Sequence, residues 1–313
     1  MALKIIFMGT PDFARDSLKA LVENGHDIEL VVTNPDKPKG RGMKMIPSDV
    51  KVYAIEHGLN IEQPLKIRKN PEFFKKLKDM NPDVICVVAY GKIIPKEILD
   101  IPKLGCINVH GSILPKYRGA APIQWSVLNG DKETGITTMY MDEGMDTGDI
   151  ILTQKVEIGE DETTGELWDR LSEIGAQLLV KTLKQIESGI NPRIKQSENF
   201  TLAPMIDKKM AKIDWDNKTS LEIKNLVRGL NPFMGAYGFL NDKKIKIWKV
   251  KILDEKTDKE PGTVLVADSK FGLKVATKDG LISVLEIQGE NSKKMPIFDY
   301  LRGNSIEVGS RFK

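Results

Sequence analysis

LKIIFMGTPDFARDSLKALVENGHDIELVVT, residues 3–33, decides the fold. The apolar run at 3–8 predicts a buried strand. Gly9, Pro11 and Asp12 supply a turn, a helical pattern runs to about Asn24, and a second strand is predicted at 28–33. Strand, helix, strand at this spacing is the signature of a βαβ unit and a parallel sheet. Outward from it, DVICVVA at 83–89 predicts a third strand and 104–110 a fourth. Helices are expected at 49–57 and 71–79, each ending near Gly or Pro. Residues 136–141 and 150–156 predict a strand pair, and 163–188 a long helix. The fold class expected is α/β, a Rossmann-like, mostly parallel sheet.

The pattern changes near Gly189. A polar, irregular stretch at 190–208 reads as a linker, and one helix is expected near 219–230. Short strands at 244–253, 262–267, 271–277 and 280–288 then predict a small β-barrel of OB-like type. The expected domains are therefore 1–189, catalytic; 190–208, linker; and 209–313, barrel. Formal net charge over all 313 residues is only +3, but it divides unevenly. Residues 208–313 carry 21 Lys and Arg against 14 Asp and Glu, and residues 1–207 carry 26 against 30. A basic barrel beside a mildly acidic domain suits a polyanionic partner, although a lysine-rich solvated surface gives the same count.

Several classes are excluded. The 2 cysteines, Cys86 and Cys106, are too few for a disulfide framework or a zinc knuckle. The N-terminus lacks the length and cleavage pattern of a secretory signal, and no apolar run approaches the roughly 20 residues that span a bilayer. A soluble, cytoplasmic protein with no membrane partner is expected. GTPDFA after the first strand has one glycine where a dinucleotide fingerprint needs three, and there is no Walker sequence.

The stretch richest in chemistry is CINVHGSILPKYRGAAPIQWSVLNGDKETGITTMYMDEGMDTGDII, residues 106–151. Asn108 and His110 lie two apart on a strand and so share a face, at the carboxyl end where open α/β sheets place ligands. Asp146 follows between Gly144 and Gly148. Together they suit transfer of a one-carbon acyl group to an amine. Asn108 and a protonated His110 would donate to the oxygen that gains charge, while Asp146 would orient the ring and stabilise its charge. No metal and no covalent nucleophile is required. Taken singly, His110 could be a hydrogen-bonded core histidine, and Asn108 and Asp146 turn formers. Cys106 shares their face and reads as a small buried residue. NPDKPKGRGMKMIP, residues 34–47, carries Lys37, Lys39, Arg41 and Lys44 among glycines and prolines. A mobile basic loop of that kind suits an incoming RNA end, or is simply a surface loop.

NVHGSILPKYRGAAPIQW with MDTGD downstream resembles the formyltetrahydrofolate-dependent formyltransferases. IIFMGTPDFA, PDKPKGRGMKMIPSDVK, VVAYGKIIP and KIDW extend the resemblance over essentially the whole chain, to the branch that acts on aminoacylated initiator tRNA. It implies catalytic roles for Asn108, His110 and Asp146. It implies a folate-contacting loop at Ser112, Ile113, Leu114 and Pro115, with Ile113 where the family usually has Leu. Backbone groups of 88–93 and 142–146 would complete a pterin pocket, with Val87, Val88 and Ile93 equally good as sheet core. The resemblance also implies 10-formyltetrahydrofolate as donor, initiator methionyl-tRNA as acceptor, and tRNA contacts from the basic loop, Arg41 foremost. A monomer is expected. A relative acting on an amino-sugar nucleotide would share the three catalytic residues but leave the basic loop and barrel without a purpose. A binding protein that had lost its chemistry would not need all three.

Overall fold

The structure, a computed structural model, describes residues 3–39 and 42–313. Its contacts separate two compact units. One comprises Met1–Pro122, Glu133–Glu157 and Trp168–Pro204; the other comprises Ile123–Lys132, Ile158–Leu167 and Met205–Lys313. Residues 190–204, which the sequence suggested as connector, thus pack with the first unit.

In chain order the elements of the first two-thirds are β1 (Lys4–Gly9), α1 (Asp12–Glu23), β2 (Asp27–Val32), β3 (Lys37–Lys39), β4 (Lys44–Ile46), α2 (Asp49–Glu56), β5 (Ile61–Glu62), α3 (Pro71–Asp79), β6 (Val84–Val88), α4 (Lys96–Leu99), β7 (Cys106–His110), α5 (Pro122–Leu128), β8 (Glu133–Tyr140), β9 (Ile150–Glu157) and α6 (Thr164–Glu187). Seven strands form one sheet in the order β5-β2-β1-β6-β7-β8-β9. The first five are parallel; β8 and β9 add antiparallel. β1 and β6 are buried along almost their whole length, which is why they read as unbroken apolar runs rather than alternating ones. α1 turns Phe13, Ala14, Ser17, Leu18 and Leu21 inward, the i, i+4 stripe of a helix laid on a sheet. Gly9 is where the first strand meets that helix: a Cβ there would lie 2.6 Å from the Ala14 Cβ. One glycine suffices for that approach, and no phosphate-binding fingerprint is needed to explain it.

β3 and β4 pair as a small antiparallel hairpin, so the described part of the basic loop includes two short strands that the sequence reading did not expect. Pro38 sits in β3 and still pairs with Met45, which the sequence reading had no means to anticipate.

The second unit adds α7 (Ser220–Gly229), β10 (Ala236–Leu240), β11 (Lys243–Leu253), β12 (Val264–Asp268), β13 (Gly272–Ala276), β14 (Leu281–Gln288), β15 (Met295–Pro296) and α8 (Ile297–Gly303). Thr219 and Glu222 close a reciprocal capping box at the start of α7. The strand order is β10-β11-β14-β13-β12, all antiparallel, with β15 on β14. The last residues join the two edges. Lys313 exchanges two 2.8 Å backbone bonds with Phe239 of β10, and Val264 of β12 donates to the Ser310 carbonyl at 2.8 Å. Edge strands that would otherwise expose a ladder are thereby covered, and the sheet closes into a barrel. Phe312 anchors the closing segment, buried with its ring 5.2 Å from that of Trp215. Among the described residues no helix is long and apolar enough to cross a membrane.

Candidate active site

β7 lies between a parallel and an antiparallel neighbour, with Asn108 opposite Met139 and His110 opposite Thr137 on β8. Because β8 runs the other way, its final turn begins beside Cys106, where Met141 donates to the Cys106 carbonyl at 2.8 Å. That turn must fold back along β7 for Asp146 to reach the far end of the strand. It does so through a left-handed backbone at Asp146 (φ 55), a conformation Asp tolerates better than most residues.

The result brings the three candidate catalytic side chains together. Asp146 Oδ1 lies 3.5 Å from Asn108 Nδ2, and Asp146 Oδ2 lies 3.6 Å from His110 Nδ1. The Gly119 N–H donates to the same Oδ2 at 2.8 Å and holds the carboxylate in place. His110 Nε2 sits 2.9 Å from the Tyr117 carbonyl. A carbonyl can only accept, so Nε2 carries a proton and Nδ1 is the nitrogen turned toward Asp146. Both separations around the carboxylate exceed those of a good hydrogen bond. The amide, the imidazole and the carboxylate therefore converge with bonding capacity to spare. Cys106, on the same face, packs against the Ile98 and Leu99 carbonyls, and burial pushes its thiol up to about 12. It is inert at neutral pH.

The loop after β7 is tied from beneath. The Thr137 hydroxyl donates to the Ser112 carbonyl at 2.7 Å and accepts from the Leu114 N–H at 3.2 Å. Ser112 Oγ donates to the Lys116 carbonyl at 2.6 Å, and Leu114 and Ser112 are buried. Ile113 and Pro115 are half-exposed, and the Leu114–Pro115 peptide is cis. Val87 and Val88 are buried sheet core, whereas Ile93 is 65% exposed. Met145 is 63% exposed on the turn after β8, and Lys96 reaches Glu143 of that turn at 3.8 Å, so the segment after β6 runs beside it. Met145, next in sequence to the anchored Asp146, and Ile93 are exposed apolar side chains of the kind that suit a flat heterocycle better than they suit water.

The basic hairpin is rooted by polar contacts. Asn34 Nδ2 donates to Thr10 Oγ1 at 2.9 Å and to the Tyr90 carbonyl at 2.7 Å. Asp36 takes Lys51 at 2.7 Å and Gln63 at 2.8 Å, and these two donors hold its carboxyl below the usual carboxylate range. Lys37 and Lys44 are exposed beside exposed Met43, Met45 and Ile46. Burial, and after it the charge of Lys37, keeps the Lys92 ammonium below its ordinary value, so these two cations share one region. Lys39 contributes its backbone to β3, and Arg41 lies outside the described residues.

Three contributors escaped the sequence reading. Thr137 looked like one strand threonine among several. Thr201, whose hydroxyl accepts from the Tyr117 N–H at 2.9 Å, and Gln196 lie in the segment taken as linker. No local pattern marks any of them.

A formyl transferase family model matches residues 3–183, and the model of the formyl transferase C-terminal domain matches residues 205–305. A methionyl-tRNA formyltransferase of Clostridioides difficile is 52% identical over 308 residues, covering 98% of this chain and 99% of that protein. The enzyme of the same name from Clostridium novyi is also 52% identical, over 99% of this chain and 100% of its own length. Among solved structures, a Helicobacter canadensis N-formyltransferase in complex with folinic acid and dTDP-3-aminofucose superposes with a TM-score of 0.67 at 21% identity, covering 92% of this chain and 100% of that one. HypX from Aquifex aeolicus in complex with tetrahydrofolic acid gives 0.66 at 16% identity, covering 99% of this chain and 51% of that one. These two likenesses concern the fold.

Proposed function

The chain belongs to the formyl transferase family, and from that membership and the site's geometry we infer that it moves a formyl group from 10-formyltetrahydrofolate to the α-amino group of initiator methionyl-tRNA. The product is N-formylmethionyl-tRNA for translation initiation. The observation that carries the chemistry is one carboxylate, Asp146, standing within 3.6 Å of both an amide and an imidazole nitrogen.

The bound folate supplies an activated formyl carbonyl, and the rest falls to this chain's own groups. An α-amino group with a pKa of roughly 8 is partly neutral near pH 7. Asp146, pinned by the Gly119 N–H, is placed to take the proton the amine sheds as its nitrogen bonds to carbon. Asn108 keeps a second amide N–H beyond the one turned to Asp146, and that hydrogen can meet the oxygen on which charge grows. His110, locked by Tyr117, presents Nδ1–H to the same space when its ring is charged. Each such donor is worth about 3–4 kcal/mol of barrier. Collapse returns the oxygen's electron pair to the carbonyl and expels the folate nitrogen, which takes back the proton from the Asp146–His110 pair. The half-exposed Ile113 and Pro115, with Ile93 and Met145, are the apolar groups suited to the folate ring; Ser112 and Leu114 shape the loop from inside.

Residues 1–189 act as the catalytic domain on this reading, 190–208 lead onward from it with 190–204 packed in the same unit, and 209–313 act as the tRNA-binding domain. Support for the last comes from β10 and β11. Tyr237 and Phe239 are half-exposed on β10, with Lys244 Nζ 3.6 Å from the Tyr237 ring and Lys212 Nζ 5.8 Å from that of Phe239. Lysines interleaved with aromatic rings suit a nucleic-acid strand. Lys37, Lys39, Arg41 and Lys44 of the basic loop meet the acceptor end. The enzyme works as a cytoplasmic monomer and needs no metal.

The direct test is incubation with charged initiator tRNA and 10-formyltetrahydrofolate, with formyl-methionyl product measured by mass. Product at tRNA-dependent rates is expected. No product on tRNA, together with formylation of an amino-sugar nucleotide, would assign the chain to another branch of the family.

A further inference from the structure

We propose that Gln196, braced by Arg118, is a positioning residue for Asp146. The proposal rests on the reading of Asp146 as catalytic. The Gln196 side-chain amide has two hydrogens and both are spent on the turn that carries Asp146. Nε2 donates to the Asp146 carbonyl at 2.9 Å and to the Gly148 carbonyl at 2.8 Å. Its oxygen accepts twice from Arg118, from Nε at 3.0 Å and from Nη2 at 2.7 Å. Arg118 is buried to 9% exposure, and its guanidinium stacks 4.7 Å from the Phe200 ring.

The backbone of Arg118 is fixed as well. Its N–H donates to the Thr201 carbonyl at 2.9 Å, and its carbonyl accepts from the Ala203 N–H at 2.7 Å. One residue on, the Gly119 N–H is the group that holds the Asp146 carboxylate. The same segment therefore grips Asp146 twice, by its main chain through Gln196 and by its side chain through Gly119.

That double grip answers a mechanical need. The turn after β8 has to fold back along β7, Asp146 sits in a left-handed conformation, and the turn has no sheet ladder of its own to fix it. Without the two donors from Gln196 the carbonyls of Asp146 and Gly148 lose their shared tie, and the carboxylate is free to drift from Asn108 and His110. A displacement near 1 Å costs about 100-fold in rate.

Two near-isosteric replacements separate positioning from plain anchorage. Gln196→Met removes every hydrogen bond. Gln196→Glu keeps and strengthens the acceptor for Arg118 but sets a carboxylate against two carbonyls. Positioning predicts that kcat falls about 30- to 100-fold in both, with Gln196→Glu no better than Gln196→Met. KM for tRNA and for the folate should stay within about threefold, with kcat read well below the melting temperature of each variant, since Gln196→Met also leaves the buried Arg118 guanidinium without this acceptor and lowers stability. If holding Arg118 were the whole role, Gln196→Glu would keep near-native kcat and Gln196→Met alone would suffer, which overturns the proposal. Asp146→Asn, measured alongside, separates the two levels. An inactive Asp146→Asn with fully active Gln196 variants refutes the positioning role and leaves the site reading intact. A fully active Asp146→Asn refutes both.

Discussion

Gly148→Ala is a one-methyl perturbation whose consequence can be followed atom by atom. A Cβ at residue 148 would lie 1.7 Å from the Tyr140 carbonyl oxygen and 2.8 Å from its carbon, where real contacts stay beyond 3.0 Å, so about 1.3 Å must open. Tyr140 is paired with Ile107 at the end of β8, whereas the turn belongs to no ladder. The turn gives way, and Asp146, two residues upstream, moves with it. The 2.8 Å bonds from Gly119 and Gln196 cannot both survive such a shift. Overpacking of this kind costs about 1–3 kcal/mol of stability, and loss of alignment lowers kcat about 100-fold. Single-turnover formylation gives the rate and thermal unfolding the stability. Gly58→Ala is the control: its φ of +64 also disfavours a side chain, but no atom lies within 4 Å of the added Cβ. It should lose about 1 kcal/mol of stability at unchanged kcat. Native kcat in Gly148→Ala would refute the claim that the turn's position governs the chemistry.

Other outcomes follow from the same contacts. Thr137→Val leaves the buried Ser112 carbonyl and Leu114 N–H without their shared partner; a loss of about 1–3 kcal/mol in chemical denaturation is expected, with a raised KM for the folate. Phe312→Ala empties a buried ring from the closing strand of the barrel and should cost about 3–5 kcal/mol in the same assay. Lys44→Ala and Arg41→Ala should each lower kcat/KM for initiator tRNA and reduce the salt dependence by about one ion, while sparing a minimal methionyl ester. Equal losses on both substrates would make the hairpin structural.

What could be read from the chain alone follows physical reach. The strands of the parallel sheet announce themselves because burial on both faces forces continuous apolar runs, as in 84–88. Asn108 and His110 were visible as a pair because a strand's period of two places them on one face by geometry alone. The basic hairpin was read as a loop because Pro38 and the glycines of 34–47 outweigh any alternation. β10 was passed over because Gly238 interrupts its apolar positions, although that glycine is needed where a Cβ would lie 2.9 Å from Trp215 Nε1. Gln196 was invisible for a different reason: its partners lie 48, 50 and 78 residues away, and nothing in QSENFTLAP marks an amide that ties down a distant turn. The closing of the barrel by its last residues was hidden in the same way, since the pairing of Lys313 with Phe239 is long-range.

The account turns on the carboxylate of Asp146 acting with Asn108 and His110, and kcat of Asp146→Asn at saturating initiator tRNA and folate tests it most directly. Asn can still accept from the Gly119 N–H, so the turn keeps its anchor while charge and proton acceptor are lost. A fall of about 1,000-fold, with unchanged tRNA affinity, is the predicted result. A rate within about tenfold of native would contradict it.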